Sequence, residues 1–294
     1  MNGFIVLDKP KGITSFIGAR IVRKATGEKK TGHTGTLDPM ATGVLPVAVG
    51  NAARFIELLP CHDKCYVASF RLGETTDTLD ITGKTITKSD KIPEKSEVID
   101  AISRFTGEIE QLPPMYSAIK KDGKRLYELA RQGIEVEREK RKITIYYSKY
   151  ISGDKNEYTI EVKCSKGTYI RTLIADIGDY LGCGAVMTEL RRTEANGFSI
   201  ENACTEEELK NADDPSVFLI SVDTALKAYP EVTVSELQAK RFRNGGELDT
   251  KRLRSKLTTG YYRVYSPTRV FLGIGEYEDG SETLKVKSVY INEG

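Results

Sequence analysis

Apolar and polar residues alternate in several short stretches of the chain, a pattern typical of strands with one buried face. The clearest stretch is 65–72, where Tyr66, Ala68, Phe70 and Leu72 fall on one face and Val67, Ser69 and Arg71 on the other. Similar or shorter apolar stretches predict further strands at 4–7, 44–49, 143–148, 157–164, 186–194, 260–264, 270–277 and 284–290. Gly153-Asp154 suits the turn between two of them.

Other segments carry apolar residues three or four positions apart, which predicts helices. The first follows a possible cap at Thr14 or Ser15 and ends at Gly27. The helices are predicted at 15–26, 52–59, 97–105, 126–132, 168–180, 205–214 and 235–242, and loops at 31–42, 73–84 and 112–117. Strands that alternate with helices and hairpins predict an α+β fold built around a mixed or antiparallel sheet.

The chain has 294 residues, enough for one sizeable core and a small second domain. We place the boundary near Tyr229-Pro230, which gives a main domain of 1–228 and a second domain of 229–294. One helix and three strands in the second domain predict a small β-barrel-like module that packs on the main body.

The net charge is only +2, yet the charges are unevenly distributed. Lys and Arg outnumber acids by ten to five in 118–149 and by seven to two in 240–256, whereas 201–231 holds eight acids and two bases. Two basic segments separated by an acidic one can form a positive face for nucleic acid, or can be solvated helix surfaces. Charge alone leaves both interpretations open.

The five cysteines stand at irregular positions, and the N-terminus runs directly into the first strand. We therefore expect no secretory signal, reduced thiols and a cytoplasmic protein. The spacing in Cys61-His62-Asp63-Lys64-Cys65 is poor for zinc, and we expect no metal. The longest uncharged run, 39–53, is too short and too interrupted by Gly and Pro to span a membrane.

The segment 32–39, GHTGTLDP, concentrates the groups best suited to chemistry. Its carboxylate, Asp38, can be a nucleophile or a proton-transfer group, or simply start a turn beside Pro39. His33, one of two histidines, is equally open to a core or turn role. The motifs of P-loop nucleotide-binding proteins, serine hydrolases and dinucleotide-binding oxidoreductases do not occur.

A second candidate cluster, 163–171, combines bases with a Gly turn at the start of a predicted helix. Arg171 offers a rigid two-pronged donor that suits a catalytic carboxylate such as Asp38, or a surface salt bridge. Tyr66 and Tyr169 can stack on a nucleobase, although Tyr66 also fits an ordinary core position. The residues alone do not establish that Asp38 and Arg171 meet.

Six segments resemble, in the expected order, the TruB family of stand-alone tRNA pseudouridine-55 synthases. They are LDKPxG at 7–12, GHTGxLDPxATGxLP at 32–46, RLG at 71–73 with TDT at 76–78, PMYSA at 114–118, SKGTYIR at 165–171 and LRR at 190–192. The resemblance extends from about residue 3 to 200. The tail beyond Tyr229 resembles the family's small C-terminal PUA-type RNA-binding domain more loosely.

The resemblance implies a pseudouridine-synthase-like catalytic domain that isomerises uridine 55 in the T loop of tRNA without cofactor or metal. Asp38 would be the catalytic group, Tyr66 would lie against the base as a candidate general base, and Arg171 would pair with Asp38. The same likeness assigns contacts with the flipped nucleotide or neighbouring RNA to His33, Tyr169, Leu190 and Lys9. The basic segments 120–125 and 140–142 would contact RNA phosphates.

Two alternatives stay open beside this interpretation. A tRNA-folding chaperone fits the charge pattern, either instead of the enzyme or in addition to it. The catalytic subunit of a guide-RNA-dependent particle shares the same motifs, but this chain shows no lysine-rich terminal extension, so we expect a monomer that acts on the T-arm stem-loop without guide RNA. Whether Asp38 attacks the sugar or promotes an elimination also stays open.

Overall fold

The computed structural model describes residues 1–121, 123–253 and 256–291, so Asp122, Arg254 and Ser255 in the two basic segments and 292–294 in the second domain lie outside the described residues. The strands are β1 (Gly3–Lys9), β2 (Thr31–His33), β3 (Thr42–Val49), β4 (Lys64–Leu72), β5 (Glu74–Thr76), β6 (Thr85–Lys88), β7 (Gly107–Gln111), β8 (Lys120–Lys121), β9 (Lys124–Arg125), β10 (Arg141–Asp154), β11 (Glu157–Cys164), β12 (Ala185–Ala195), β13 (Phe198–Ser199), β14 (Ala203–Cys204), β15 (Ile220–Ser221), β16 (Glu231–Thr233), β17 (Leu248–Asp249), β18 (Gly260–Tyr265), β19 (Phe271–Tyr277) and β20 (Thr283–Val289).

The helices surround these strands. They are α1 (Ser15–Thr26), α2 (Lys95–Arg104), α3 (Leu126–Ala130), α4 (Ile170–Tyr180), α5 (Glu206–Asn211), α6 (Val222–Ala225) and α7 (Glu236–Arg243), with 3₁₀ helices at Gly50–Leu58, Ile200–Asn202, Pro215–Phe218 and Thr250–Arg252. The start of α1 follows the predicted chemistry, because the hydroxyl of Thr14 accepts a hydrogen bond from the Ile17 amide. No helix in the described ranges is long and apolar enough to cross a membrane.

One large mixed sheet organises residues 3–221. Its strands follow the order β14-β1-β3-β12-β4-β11-β10-β7, with β2, β13 and β15 paired at the side. Most neighbours are antiparallel, but β12 runs parallel to β3, and Gly43 lies beside Arg192 there. Gly43 has φ +103°, and a Cβ at this position would stand 2.2 Å from the Arg192 carbonyl oxygen, so the close approach requires glycine. This contact brings the segment that connects β2 to β3 against β12.

The alternating pattern in β4 predicted its buried face correctly. Tyr66, Ala68, Phe70 and Leu72 are buried, and the residues between them are partly exposed. That face joins α2 and α4 in the largest apolar core. A separate core lies between β1, β3 and α1.

A smaller mixed sheet, β16-β18-β19-β20-β17, forms the C-terminal part of the fold and has its own apolar core with α7. It packs firmly on the large sheet. Phe55 lies 6.4 Å from Phe271 and 6.2 Å from Tyr290 between ring centroids, and the Tyr229 hydroxyl donates to the Leu58 carbonyl. The predicted α+β class with a small β-rich module is thereby confirmed, whereas the boundary at 228/229 stays a prediction.

Several local predictions need correction. The predicted loop 31–42 contains strand β2, and the predicted loop 73–84 contains β5. The helix expected at 52–59 is a 3₁₀ helix over Gly50–Leu58. Strand β10 continues through the expected Gly153-Asp154 turn because Lys155, with φ +55°, provides the left-handed turn residue instead. Strand β6 is exposed along its whole length and so shows no alternation, and β7 has only five residues with Ile109 as its one large apolar side chain.

Candidate active site

A buried arginine on β12 holds the segment between β2 and β3. Arg192 on β12 is fully buried, and its guanidinium donates to the carbonyls of Val44 at 2.7 Å, Thr36 at 3.2 Å and Gly35 at 3.3 Å. Ser15 at the start of α1 adds two hydrogen bonds to the backbone of Leu37, one donated and one accepted. The chain is therefore fixed immediately before Asp38.

Asp38 and Arg171 are brought together from two distant parts of the sequence. Arg171 Nε donates to Asp38 Oδ2 at 2.9 Å, and its other nitrogens donate to the carbonyls of Thr78 at 3.0 Å and Tyr116 at 2.9 Å. The arginine side chain is 5% exposed, whereas that of Asp38 is 33% exposed. The carboxylate is thus oriented by a buried cation and still open to a ligand.

A second carboxylate stands behind this pair. Asp80 Oδ2 lies 3.8 Å from Arg171 Nε, and Asp80 is buried. Its Oδ1 accepts hydrogen bonds from the Thr78 hydroxyl and from the amide and hydroxyl of Thr82. Arg171 therefore lies between a partly exposed acid and a buried one, and the buried acid compensates its charge inside the protein.

Tyr66 on β4 lies near this pair and belongs to the core cluster that contains Leu37 and Met40. Burial raises the pKa of Tyr66 to about 12, while the guanidinium of Arg192 lowers it. At neutral pH the Tyr66 hydroxyl therefore keeps its proton. It can pack against a base and donate a hydrogen bond, and it can act as a base only after losing that proton.

Tyr169 and Leu190 line the same region. Tyr169 is the N-cap of α4, and Gln111 clamps its backbone by accepting from its amide at 2.8 Å and donating to its carbonyl at 3.1 Å. Burial raises the pKa of the Tyr169 hydroxyl. Leu190 is buried on β12 opposite Ala68 of β4, in the cluster that includes Tyr66.

His33 is the last residue of β2 and pairs with Val47 of β3. Burial, and then the positive charge of Arg192, lower the pKa of His33, so the ring is neutral at neutral pH. Its Nδ1 is buried and has no hydrogen-bond partner. The ring thus has an unused polar atom only five residues from Asp38.

Lys9 does not lie where its assignment to RNA contact requires. Its side chain is fully buried, and Nζ donates to the carbonyls of Pro10 at 2.8 Å, Ile13 at 2.9 Å and Pro39 at 3.4 Å. Burial lowers the pKa of Lys9 to about 8. The ammonium group therefore braces the turn after β1 against the residue that follows Asp38.

The exposed basic hairpin β8–β9 begins beside the site. Its four strand residues, Lys120, Lys121, Lys124 and Arg125, are exposed. The chain enters it from Tyr116, whose carbonyl is bound by Arg171. The predicted basic segment 120–125 is thus anchored within a few residues of the Asp38–Arg171 pair.

Sequence reasoning missed the supporting groups Arg192, Asp80 and Ser15. Arg192 belongs to the LRR motif at 190–192, but the motif does not indicate that the guanidinium binds backbone carbonyls. Asp80 stood in a segment interpreted as a polar loop. The signal available for it was the dense Thr-Asp pattern at 75–82, which is typical of side chains that bind their own backbone.

Comparison with known families matches almost the whole chain. The family described as TruB family pseudouridylate synthase (N terminal domain) matches 23–170. The tRNA pseudouridylate synthase B C-terminal domain matches 171–227, and the family described as Pseudouridine synthase II TruB, C-terminal, matches 230–287.

Individual relatives agree. A curated tRNA pseudouridine synthase B of Clostridium tetani is 46% identical over 279 residues, covering 94% of this chain and 96% of the relative. The protein of the same name from Clostridium kluyveri is 44% identical over 280 residues, with 95% and 96% covered. Among solved structures, a chain in a Cbf5-Nop10-Gar1 complex has a TM-score of 0.76 and 26% identity, with 98% of this chain and 85% of that chain covered. The chain belongs to the TruB family of pseudouridylate synthases.

Proposed function

We propose that this enzyme isomerises uridine 55 in the T loop of tRNA to pseudouridine, with Asp38 as the catalytic group. The observation that carries the proposal is the partly exposed Asp38 carboxylate, held at 2.9 Å by the buried guanidinium of Arg171. The names of the curated relatives support tRNA as the substrate.

The reaction breaks the C1′–N1 bond, rotates the freed uracil and joins C5 to the same sugar carbon. Asp38 initiates the cleavage either by attacking C1′, from which C5 of the uracil later displaces it, or by removing a sugar proton, which it returns when C5 adds to C1′. The proton on C5 must then leave, and Tyr66 is our candidate for the group that accepts it. Tyr66, Leu190 and Tyr169 form the walls that keep the detached uracil in place.

The uridine must leave its stack before Asp38 can reach it. We assign His33 to the vacated space, because its ring is neutral, is partly exposed and stands five residues before Asp38. Lys9 contributes indirectly, since its ammonium supports Pro39 rather than a phosphate.

RNA phosphates contact the two basic surfaces. The first is the hairpin β8–β9 beside the site, and the second is the exposed face of α7 formed by Lys240, Arg241 and Arg243. We place both on the T-arm stem-loop and expect the enzyme to work as a monomer without guide RNA in the cytoplasm. Each phosphate contact should add about one to the negative slope of the logarithm of the binding constant against the logarithm of the salt concentration.

The decisive experiment compares wild type with Asp38→Asn and the control Asp154→Asn, which changes an exposed acid at the end of β10. Each protein is mixed, without any other RNA, with a T-arm hairpin that carries 5-³H-uridine. We expect tritium release by wild type and the control and none by Asp38→Asn, which should bind the hairpin within a few-fold of wild type. Turnover by Asp38→Asn would reject the assignment, and tight binding without release by wild type would favour a chaperone.

A further inference from the structure

The turn between β12 and β13 holds an asparagine whose backbone role does not account for its side chain. Ala195 pairs with Phe198, so Asn196 and Gly197 form a two-residue hairpin turn with φ +56° and +82°. Asn-Gly is a preferred sequence for this turn, and Gly-Gly is also accepted there. A role beyond the turn therefore depends on the bonds that the asparagine side chain makes.

The Asn196 side chain is nearly buried and links two other segments. Its Oδ1 accepts a hydrogen bond from the Thr34 hydroxyl at 3.0 Å, and its Nδ2 donates to His62 Nδ1 at 3.3 Å. Its backbone amide donates to the Asp63 carbonyl at 3.1 Å. Asn196 itself is only 5% exposed, so these bonds are shielded from water.

The Asn196 amide is held at both ends. Its Nδ2 faces His62 Nδ1, and its Oδ1 faces the Thr34 hydroxyl. The His62 segment is itself fixed, since Lys64 Nζ donates to the His62 carbonyl at 3.0 Å. The asparagine is thus a bridge from a fixed segment to the first residue after His33.

The two ends of the segment 32–39, which contains His33 and Asp38, are held by different groups. Arg192 and Arg171 hold the end that contains Asp38, as described above. At the other end, the Thr34 amide donates to the Pro46 carbonyl, and the Thr34 side chain bonds only to Asn196 among the described residues. A change at Asn196 therefore acts on the His33 end and leaves the Asp38 end in place.

We infer that Asn196 is a positioning residue that fixes His33 for extrusion of the target uridine. The inference rests on the proposed function of His33 as the group that enters the vacated stack. Asn196 touches neither substrate nor Asp38; it acts through Thr34. Its loss slows extrusion of the base and leaves the chemistry at Asp38 intact.

The test uses full-length protein and a T-arm hairpin with 2-aminopurine beside the target uridine, whose fluorescence rises when its neighbour leaves the stack. The variants are Asn196→Gly, which keeps the turn and removes the bridge, and Asn196→Asp, which keeps an acceptor for Thr34. The control is Lys155→Gly, which places glycine at the left-handed position of the β10–β11 turn. Stopped-flow fluorescence and thermal unfolding are measured for each.

We expect Asn196→Gly to slow the fluorescence rise about fivefold, the factor that one neutral hydrogen bond contributes. Asn196→Asp should recover most of the rate, and Lys155→Gly should equal wild type. Thr34→Val should match Asn196→Gly, and the double variant should be no slower than either. In a His33→Ala background Asn196→Gly should have no further effect, because the bridge then has no ring to position.

Two outcomes would overturn the inference. Equal rates for wild type, Asn196→Gly and Asn196→Asp would show that only the turn matters, and additive losses in the Thr34→Val double variant would show that the two residues act separately. Tritium release from the same hairpin by wild type is the independent check. Its absence would reject the proposed function, whereas release with equal extrusion rates would reject the bridge alone.

Discussion

Replacement of Arg171 by lysine should separate charge from geometry at the active site. The guanidinium makes three hydrogen bonds at once, to Asp38, Thr78 and Tyr116. A lysine keeps the positive charge but can reach only one of the three acceptors from the same position. Two lost hydrogen bonds to a charged donor cost about 3–6 kcal/mol before the surroundings relax.

Part of this cost should appear as lost stability and part as lost rate. We expect Arg171→Lys to lower the free energy of unfolding by about 3 kcal/mol and to lower kcat about 100-fold, equivalent to about 2.7 kcal/mol of activation free energy. The KM for the hairpin should change little, because Arg171 is buried and its nitrogens bond to acceptors within the protein. Urea unfolding and single-turnover tritium release measure the two effects.

Arg191→Lys is the matched control. Arg191 makes a two-pronged pair with Asp8, at 2.7 and 3.1 Å, outside the Asp38 site, and its side chain is 43% exposed. The same substitution there should cost less than about 1 kcal/mol and leave kcat within about twofold. If Arg171→Lys lost no more activity than Arg191→Lys, orientation of Asp38 by the guanidinium would be refuted.

Three further predictions concern groups with shifted pKa values. Tyr66→Phe should slow single-turnover tritium release about 100-fold. It should also abolish the increase of that rate between pH 7 and 9, because the ionised fraction of a phenol with a pKa of about 12 grows tenfold per pH unit in that range. A rate within about threefold of wild type would show that Tyr66 only lines the pocket. Folding lowers the pKa of His33, so as the pH falls the imidazole takes up a proton in the unfolded chain before it does so in the folded protein. The free energy of unfolding should therefore decrease as the pH drops below the ordinary histidine pKa. Urea titrations from pH 7.5 to 5 should show a smaller decrease for His33→Gln than for wild type. Lys9→Met should lower the free energy of unfolding by about 2–4 kcal/mol, because the carbonyls of Pro10 and Ile13 lose their charged donor, and the affinity for the hairpin should not change. Weaker binding at constant stability would instead show that Lys9 contacts RNA.

The sequence predicted the fold best where side chains alternate between a core and solvent. Strand β4 is the model case, because its buried and exposed positions follow the predicted faces. The sequence pattern did not predict β5, β6 and β7, because these strands form through pairing with other segments of the chain. Thr75, for example, is a strand residue because its hydroxyl and backbone meet Thr87 across a short hairpin. Such pairing leaves no periodic signal along the chain.

The sequence indicated Asp38, Arg171 and Tyr66 as site residues through their motifs, but not the way they are held. Motif residues are recognisable because their residue types and spacing are restricted. Support is given by atoms that meet only in the fold. Asn196 illustrates this, since Asn-Gly in the sequence predicts a turn and says nothing of a hydroxyl 162 residues away.

The support also sets the electrostatics of the site. The guanidinium of Arg192 holds the carbonyls of Gly35 and Thr36 from a fully buried position. The same charge lowers the pKa of His33 and opposes the burial that raises the pKa of Tyr66. It therefore adds to the burial that keeps the His33 ring neutral, and it draws the Tyr66 phenol toward ionisation. Since these effects come from one cation in a fixed position, the fold sets the backbone of the segment that carries Asp38 and the charges beside it together, and a site organised in this way limits the reorganisation that a reaction requires.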